Sequence, residues 1–331
     1  MIDLRSDTAT RPTPAMLAAM AAADVGDEQL REDPTVNELQ RRAAELLGHE
    51  AALFLPTATM ANQIALRVLT RPGGELLAEE RTHILVYEAG GPAVHSGLVM
   101  RGLPGTAGRL TSEQLRDAAG IADSLQPSSI VVLENTHRSA GGRVWPLERF
   151  TEVVGTAREL GLAVHLDGAR LLNASIASGI AAAEYGRLAD TVTICFSKGL
   201  GCPFGAILAG PADTIERAWE GKFLFSGALR QSGIASAAML YALDHHVDRL
   251  ADDHARARRL ADGIGIDPAT VETNFVPIPD EPGLHERLFE RGVGVGGLRP
   301  GWLRAVTHLD IGDDQIEQAI EAMQGVLSVH A

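Results

Sequence analysis

The chain has 331 residues, of which 45% are hydrophobic and 22% charged, and its formal net charge is −14. This length suggests about two domains with a core large enough to need no disulfide or metal. The negative charge argues against nucleic-acid binding, and no apolar run approaches the length of a membrane span. The charged N-terminal segment does not resemble a secretion signal, so a cytoplasmic enzyme that binds neither nucleic acid nor membrane is expected.

The first two thirds of the chain alternate strand and helix patterns. Predicted strands cover Ala51–Leu55, Ser129–Leu133, Leu162–Leu166, Thr191–Phe196 and Ala206–Ala209, and predicted helices cover Met60–Thr70 and Leu147–Leu160. Continuous apolar strands that alternate with helices indicate an α/β fold, in which a mostly parallel sheet is covered on both faces.

The pattern changes after about residue 236. Two helices are predicted first, then short strand-like segments, and then a last helix, at Ala235–Val247, Ala251–Gly263, Val276–Ile278, Gly294, Leu303–Thr307 and Asp314–Leu327. We therefore predict an N-terminal arm and a large α/β domain over residues 1–236, followed by a smaller α+β domain over residues 237–331.

Cysteine and histidine spacings predict no metal site. Cys195 and Cys202 match no zinc or redox spacing, so they are expected to be buried structural thiols. His245, His246 and His254 lie in helical patterns rich in Asp and Arg, which favours a solvated or interface face over metal binding.

Lysine is rare in this sequence. The chain contains 29 Lys plus Arg residues, but only Lys198 and Lys222 are lysines. Arginine therefore serves wherever positive charge alone is needed. Because the arginine guanidinium stays protonated and forms no Schiff base, each lysine is a candidate for amine chemistry.

An acid and a lysine follow two successive predicted strands. In open α/β sheets, ligands bind beyond the carboxyl ends of the strands, and Asp167 and Lys198 are both expected there. Pyridoxal phosphate (PLP) needs a lysine for its Schiff base and an acid that keeps its pyridine nitrogen protonated. The alternative is that Asp167 caps a helix and Lys198 is a surface residue.

Other side chains near the predicted strand ends suit the same cofactor. Thr57 and Thr59 flank a strand-to-helix junction, where backbone N–H groups bind phosphate well. The alternative is that Thr59 is only the N-cap of that helix. His83 is able to stack on the pyridine ring, although a lone histidine is more often a core or surface residue.

Several motifs carry a family resemblance over nearly the whole chain. They are DLRSDTATRPT from Asp3, Gly26–Leu39, Glu50–Gln63, Leu133–Pro146, HLDGARLLNA at His165–Ala174, Ser197–Gly205, Arg230–Gly233 and RAVTHLD at Arg304–Asp310. On these motifs the chain resembles the low-specificity L-threonine aldolases of the beta-eliminating lyase/threonine aldolase group. The resemblance implies a fold-type I PLP-dependent transferase-like fold.

The resemblance also implies roles for residues that bind the cofactor. Lys198 is expected to form the Schiff base with PLP, Asp167 to pair with the pyridinium nitrogen, and His83 to stack on the ring. The phosphate is expected at Thr57, Ala58 and Thr59, where the family usually has Ser-Gly-Thr.

Further implied roles concern the substrate. Arg170, which also lies near the cofactor, is expected to hold the substrate carboxylate together with Ser6 and Arg304. His137 is expected near the substrate hydroxyl, and Lys222 and Arg230 are expected to reach the site from a neighbouring subunit. The family is usually a homotetramer, a dimer of dimers with shared active sites.

The implied reaction is retro-aldol cleavage of L-threonine, L-allo-threonine or a related β-hydroxy-α-amino acid to glycine and an aldehyde. Either His137 or His83 is a candidate base, and the sequence does not choose between them. The alternatives are another PLP reaction on the same scaffold, such as β-elimination, racemization or transamination, and a non-catalytic homologue.

The family's usual aromatic-Gly pair is replaced by Leu30-Arg31.

Overall fold

The computed structural model describes residues 1–119 and 127–327. Within these ranges it contains twelve strands: β1 Ile2–Asp3, β2 Ala51–Leu55, β3 Glu75–Glu79, β4 Val99–Leu103, β5 Ser128–Glu134, β6 Ala163–Asp167, β7 Thr191–Cys195, β8 Ala206–Gly210, β9 Phe275–Pro279, β10 Val293–Gly294, β11 Gly296–Arg299 and β12 Trp302–Val306.

The same ranges contain fourteen α-helices. They are α1 Pro14–Ala21, α2 Pro34–Leu47, α3 Ala58–Leu69, α4 His83–Val86, α5 Gly91–Ser96, α6 Ser112–Ala119, α7 Leu147–Glu159, α8 Leu171–Ser178, α9 Ala182–Gly186, α10 Ala212–Leu224, α11 Gly233–His245, α12 Leu250–Gly263, α13 Leu284–Glu290 and α14 Asp313–Leu327. No described helix is both long enough and apolar enough to cross a membrane.

Seven strands form the central sheet in the order β2-β8-β7-β6-β5-β3-β4. Only β8 runs antiparallel to its neighbours, so the predicted mostly parallel sheet is confirmed. Strand β3 was not predicted from the sequence although it is buried, since Glu75 and Glu79 leave an apolar run of only three residues. Strand β4 was not predicted either. It lies at the edge of the sheet with three of its five residues exposed, and therefore lacks the apolar run that marks the buried strands.

Helices cover both faces of this sheet. In β5, Val131 and Leu133 pack in a large cluster with α2, α7 and α11, whereas Ile130 and Val132 face a separate cluster on the opposite side. Successive strand residues point to opposite faces, so both sets must be apolar when both faces are covered. This explains why the strand sequences read as continuous apolar runs.

A second hydrophobic core lies under the antiparallel sheet β11-β12-β9. The N-terminal segment joins this core, since β1 pairs with β10 and Leu4 is fully buried in the same cluster. Helix α11 contributes Ala238 and Met239 to the large core instead. The division at residue 236 remains a prediction, and that residue lies inside α11.

One expectation for the C-terminal histidines is wrong. His246 and His254 are buried rather than on a solvated face. His246 Nδ1 lies 2.7 Å from the carbonyl oxygen of Leu200, and His254 Nε2 lies 3.2 Å from Asn173 Nδ2. Helices α11 and α12 pack against the rest of the chain, and only the exposed His245 matches the prediction. The expected burial of both free cysteines is confirmed.

Candidate active site

The carboxyl ends of β5, β6 and β7 bring together the acid and the lysine that the sequence singled out. Asp167 is the last residue of β6 and pairs with Glu134 on one side and Thr193 on the other. Lys198 follows β7 and is half-buried, and it lines the same small cavity as Arg170. The two predicted residues therefore lie at one edge of one sheet.

Asp167 is buried and both of its carboxylate oxygens accept hydrogen bonds. Oδ1 accepts from the backbone N–H of Ala169 at 3.1 Å, and Oδ2 accepts from Asn62 Nδ2 at 2.9 Å. Asn62 lies one turn into α3, so this helix fixes the carboxylate from the neighbouring layer. Buried polar groups with satisfied hydrogen bonds hold a single orientation.

His165, two residues before Asp167, fixes the orientation of the Asn62 amide. Its Nε2 lies 3.0 Å from Asn62 Oδ1, and its Nδ1 lies 2.8 Å from Thr191 Oγ1. Burial lowers the pKa of His165 to about 4, so the ring is neutral at physiological pH. We assign the proton to Nε2, because the Asn62 amide nitrogen faces carboxylates and its oxygen is therefore the acceptor for His165.

His83 begins α4 and carries a carboxylate partner. Its Nδ1 lies 2.9 Å from Glu88 Oε1, and its backbone N–H donates to Glu134 Oε2 at 2.7 Å. Burial opposes protonation of the ring, but the hydrogen bond to Glu88 and the charge of Asp167 outweigh it, so the pKa of His83 is raised. About a third of the side chain is exposed, which leaves His83 accessible to a ligand.

Potential metal-ligand atoms of His83, Glu88 and Asp167 lie within 4.8 Å of one another. The centre of this group is occupied by protein, because Asn62 Nδ2 donates to Glu88 Oε1 and to Asp167 Oδ2, both at 2.9 Å. Gln63 Nε2 also donates to Glu88, at 2.6 Å. These donors already satisfy the carboxylates, so the group is a hydrogen-bonded support for the site rather than an open metal cage.

His137 is almost completely buried, unlike His83. Its Nε2 lies 2.9 Å from Glu79 Oε2, and its Nδ1 accepts from the backbone N–H of Ala140 at 3.2 Å. Burial opposes protonation, but the carboxylates of Glu134 and Glu79 raise the pKa of His137. Both ring nitrogens are therefore engaged within the protein.

Arg170 is also engaged within the protein, by a residue of the N-terminal segment. Its Nε and Nη2 donate to the two carboxylate oxygens of Asp7 at 2.7 and 2.6 Å. Burial opposes ionisation of Asp7, but the charges of Arg170 and Lys198 hold its pKa well below the usual range. Ser6, beside Asp7, accepts hydrogen bonds from the backbone N–H and the hydroxyl of Thr8.

Arg304 on β12 is buried and keeps an unused donor. Its Nε donates to the carbonyl oxygen of Arg5 at 3.1 Å, whereas its Nη1 is buried without a partner in the described part of the chain. Burial and the charges of Arg138 and Arg170 lower the pKa of Arg304 to about 10, so it stays cationic at neutral pH. An unpaired buried guanidinium is the arrangement expected for a site that binds a carboxylate.

The strand-to-helix junction after β2 has the predicted geometry. Thr57 is the N-cap of α3 and its side chain accepts from the backbone N–H of Met60 at 3.2 Å. The cap is therefore Thr57 and not Thr59. Thr59 is exposed within the first turn, where backbone N–H groups have no partner in the helix. This helix start is able to bind a phosphate.

Two of the predicted site residues, Lys222 and Arg230, have their partners outside the group of site residues described above. Lys222 is fully buried in an ion pair with Glu28, and its ammonium also lies 4.9 Å from the centre of the Phe54 ring. Burial lowers the pKa of Lys222. Arg230 is exposed and pairs with Asp27 at 3.0 Å.

Sequence reasoning missed three residues that organise the site. Asp7 lies inside the DLRSDT motif and Asn62 inside the TMANQ motif. Neither motif indicates which side chains these two residues bind. Glu88, five residues after His83, ends the apolar stretch HILVY. A carboxylate a few residues after a histidine is a weak signal, because Glu88 lies beyond the end of α4 and no helical spacing links the two side chains.

Comparison with known proteins gives the family of this chain. The model of the beta-eliminating lyase family matches residues 3–276. The chain belongs to this family. The low specificity L-threonine aldolase of Escherichia coli K12 is 41% identical over 333 residues, which cover 96% of this chain and 97% of that protein. Low-specificity L-threonine aldolase 1 of Arabidopsis thaliana is 38% identical over 344 residues, which cover 98% of this chain and 95% of that protein.

The fold of this beta-eliminating lyase family member is also found in solved structures. The threonine aldolase of Leishmania major superposes with a TM-score of 0.86 at 20% sequence identity, and the match covers 99% of this chain and 100% of that one. The predicted fold-type I architecture is thereby confirmed.

Leu30-Arg31 departs from the aromatic-Gly pair that the resemblance leads us to expect in this family. Arg31 has φ of +60°, in the left-handed region that favours glycine. Its guanidinium lies 4.6 Å from the centre of the Trp219 ring and pairs with Glu216 at 2.7 Å. These contacts offset the backbone preference. Leu30 is 66% exposed within the chain.

Proposed function

We propose that this protein is a PLP-dependent lyase that cleaves the Cα–Cβ bond of a β-hydroxy-α-amino acid, such as L-threonine or L-allo-threonine, to glycine and an aldehyde. The observation that carries the proposal is the position of Asp167 and Lys198 at neighbouring strand ends, together with Arg304, whose charge interacts with those of Arg170 and Asp7. Asp167, Lys198 and Arg304 supply an acid, an amine and an unpaired guanidinium. The names of the relatives at 38–41% identity favour the same reaction.

The residues fit PLP in three respects. Lys198 offers the amine, Asp167 offers a buried carboxylate fixed by Asn62, and the first turn of α3 offers unpaired N–H groups next to Thr57. When bound, PLP supplies an electron sink for the electron pair of the bond that breaks. We assign the phosphate to Thr57, Ala58 and Thr59, and the pyridine nitrogen to Asp167.

Arg304 is the best candidate for the substrate carboxylate. Arg170 was predicted to share this role, but its Nε and Nη2 donate to Asp7, which leaves only its remaining N–H groups for a substrate. Arg170 therefore anchors the N-terminal segment, and this segment places Ser6 near the site. Binding of the substrate carboxylate at Arg304 fixes the rotation about the bond between the substrate nitrogen and Cα. This orientation aligns the Cα–Cβ bond for cleavage.

His83 is the better candidate for the base that removes the β-hydroxyl proton. The Glu88 carboxylate fixes the protonated nitrogen at Nδ1, so Nε2 of the neutral ring is free to accept a proton. His137 has no free acceptor, because Nδ1 accepts from Ala140 and Nε2 faces Glu79. We therefore assign His137 a positioning role under the site.

We also propose that the protein is a cytoplasmic homotetramer, a dimer of dimers with shared sites. Exposed apolar side chains such as Leu30, Leu224 and Ile234 suit contact between copies. The resemblance implies that Lys222 and Arg230 reach the site of a neighbouring copy. Arg230 is exposed and suits this role, whereas Lys222 is buried in its ion pair with Glu28. The buried free thiols of Cys195 and Cys202 suit a reducing compartment.

The test is a product analysis of the PLP-loaded protein. L-Threonine, L-allo-threonine and phenylserine are each incubated with the wild type and with Lys198→Ala, and glycine and the matching aldehyde are quantified. Equimolar glycine and aldehyde that disappear in Lys198→Ala support the proposal. A keto acid and ammonia in place of glycine would move the reaction to β-elimination, and an inverted amino acid would move it to racemization.

A further inference from the structure

Three arginines near the active site have no carboxylate partner among the described residues. They are Arg138, Arg299 and Arg304. Arg299 Nη1 donates to the carbonyl oxygen of Ser139 at 3.1 Å, and Arg299 lies on β11, which pairs with the β12 strand of Arg304. Other nearby arginines are neutralised, such as Arg170 by Asp7. The chain has a net charge of −14, so this concentration of unpaired positive charge stands out.

Arg138 lies beside the proposed base. Glu134 joins the two residues, because its Oε1 accepts from the backbone N–H of Arg138 and its Oε2 accepts from that of His83, both at 2.7 Å. The Arg138 guanidinium lies 4.1 Å from the centre of the Tyr87 ring, and this ring lies 5.5 Å from the ring of His83. Arg138 therefore lies on the side of the site that holds the proposed base, next to the Tyr87 ring.

Arg138 and Arg304 share an unusual feature. In each, Nη1 is buried and has no hydrogen-bond partner. The charge of Arg138 contributes to the lowered pKa of Arg304, which indicates that the two guanidiniums are close. Arg138 is half-buried and Arg304 is buried. Two like charges this close, without a carboxylate partner among the described residues, are unfavourable, and an anion between them would remove this penalty. The role proposed for Arg304 accounts for the α-carboxylate of the substrate and leaves the Nη1 donor of Arg138 unused.

We propose that Arg138 binds a second carboxylate on the substrate, so that the preferred substrate is a β-hydroxy-α-amino acid with an acidic β-substituent. This inference rests on the proposed lyase function. The simplest such compound is β-hydroxyaspartate. The β-hydroxyl proton passes to the base as the C=O bond forms, the electron pair of the Cα–Cβ bond goes to Cα, and Cα takes up a proton. The products are glycine and glyoxylate.

The kinetic test compares two substrates across matched variants. The kcat/KM for β-hydroxyaspartate, as both the threo and the erythro form, is divided by that for L-threonine. This ratio is expected to exceed one in the wild type and to fall by a factor of about 10 to 100 in Arg138→Met, since a hydrogen bond to a charged group is lost. Arg138→Lys is expected to lie between them.

The control is Arg71→Met, which removes an exposed arginine just before β3, at the opposite end of the sheet from the site. Its ratio should match that of the wild type. A ratio that Arg138→Met leaves unchanged overturns the inference. So does an equal loss for both substrates, because Arg138 would then serve only the carboxylate that they share.

A binding measurement separates this inference from the proposed reaction. Calorimetry with L-aspartate and L-alanine uses ligands that lack the β-hydroxyl and so cannot undergo the cleavage. The wild-type holoenzyme is expected to bind L-aspartate about tenfold or more tightly than L-alanine, and Arg138→Met to lose the difference. Equal affinities in the wild type would overturn the role of Arg138. Absence of glycine from every β-hydroxy substrate would overturn the lyase proposal, and the calorimetry would still show whether Arg138 binds a side-chain carboxylate.

Discussion

Asp7 and Arg170 lie 163 positions apart in the sequence and form a buried, bidentate ion pair under the active site. Both side chains are almost fully inaccessible to solvent. The pair ties the segment before α1 to the turn after β6, and Asn274 Nδ2 also donates to Asp7, at 3.3 Å. The N-terminal segment is therefore held by charge as well as by the β1–β10 pairing.

Removing Asp7 is expected to destabilise the protein. Asp7→Ala leaves a buried guanidinium without a counter-ion, and the free energy of unfolding should fall by about 3–5 kcal/mol. Denaturant titration measures this change. The double variant Asp7→Ala with Arg170→Met should be more stable than Asp7→Ala alone, because it removes the unpaired charge. Equal stabilities of the single and double variants would contradict this explanation.

The same pair predicts a dependence of stability on pH. The pKa of Asp7 is lowered in the folded state, so folding favours the ionised form. Its stabilising contribution is therefore fully present above the ordinary carboxyl pKa and is lost as the pH falls below it. Thermal melts between pH 7 and pH 3 should show a steeper loss of stability in the wild type than in the double variant.

Only one of the two lysines is expected to react with PLP. Reduction of the PLP-loaded protein with borohydride, followed by peptide mass spectrometry, should place the label on Lys198. Lys222 is buried in an ion pair with Glu28 and should stay unlabelled. Lys222→Ala should still carry the label on Lys198. A label on Lys222 in the wild type would show that the lysines are assigned the wrong way round.

The pH profile of kcat/KM should reflect the ionisation of His83, whose pKa depends on its pair with Glu88. A base must be neutral, and the pKa of His83 is raised by its surroundings, so activity should rise as the pH increases through that raised pKa. Glu88→Gln removes the negative partner and should shift the acid limb to lower pH. His83→Asn should reduce kcat by a factor on the order of 10² to 10⁴. An acid limb that does not move in Glu88→Gln would exclude the pair as its source.

Asn62 is expected to affect cofactor binding without touching the substrate. Asn62→Leu removes the donor that Asp167 Oδ2 and Glu88 Oε1 share. Asp167 Oδ2 is then buried without a partner, at a cost of about 1–3 kcal/mol, whereas Glu88 Oε1 keeps His83 Nδ1. PLP should therefore dissociate more readily, and the apoprotein should unfold at lower denaturant concentration. Asn62→Gln tests whether the position of the amide matters. Unchanged PLP affinity in both variants would contradict the assigned role.

Arg304 and Arg138 should be separable by kinetics. Arg304→Met is expected to raise KM for every amino-acid substrate by about 10- to 100-fold, because all of them carry the α-carboxylate. This loss should be similar for β-hydroxyaspartate and L-threonine. A loss confined to one substrate would mean that Arg304 does not bind the shared carboxylate.

Much of the fold followed from local sequence patterns. The apolar runs of β2, β5, β6 and β7 predicted a mostly parallel sheet, because strands buried on both faces must be apolar throughout. The half-exposed edge strand β4 escaped prediction for the same reason. Chain order then placed Asp167 and Lys198 at neighbouring strand ends, since parallel strands end at one edge.

The sequence by itself determined which residue types are available for chemistry and where the strands place them. The scarcity of lysine and the position of Asp167 and Lys198 after successive strands made PLP a candidate cofactor, and the family resemblance supported this prediction. Only the tertiary structure decided which side chains are free. Arg170 and Arg304 look alike in the sequence, but Asp7 neutralises the first and nothing neutralises Nη1 of the second. Such pairings join residues far apart in the chain, so packing and burial fix them and no local pattern reports them.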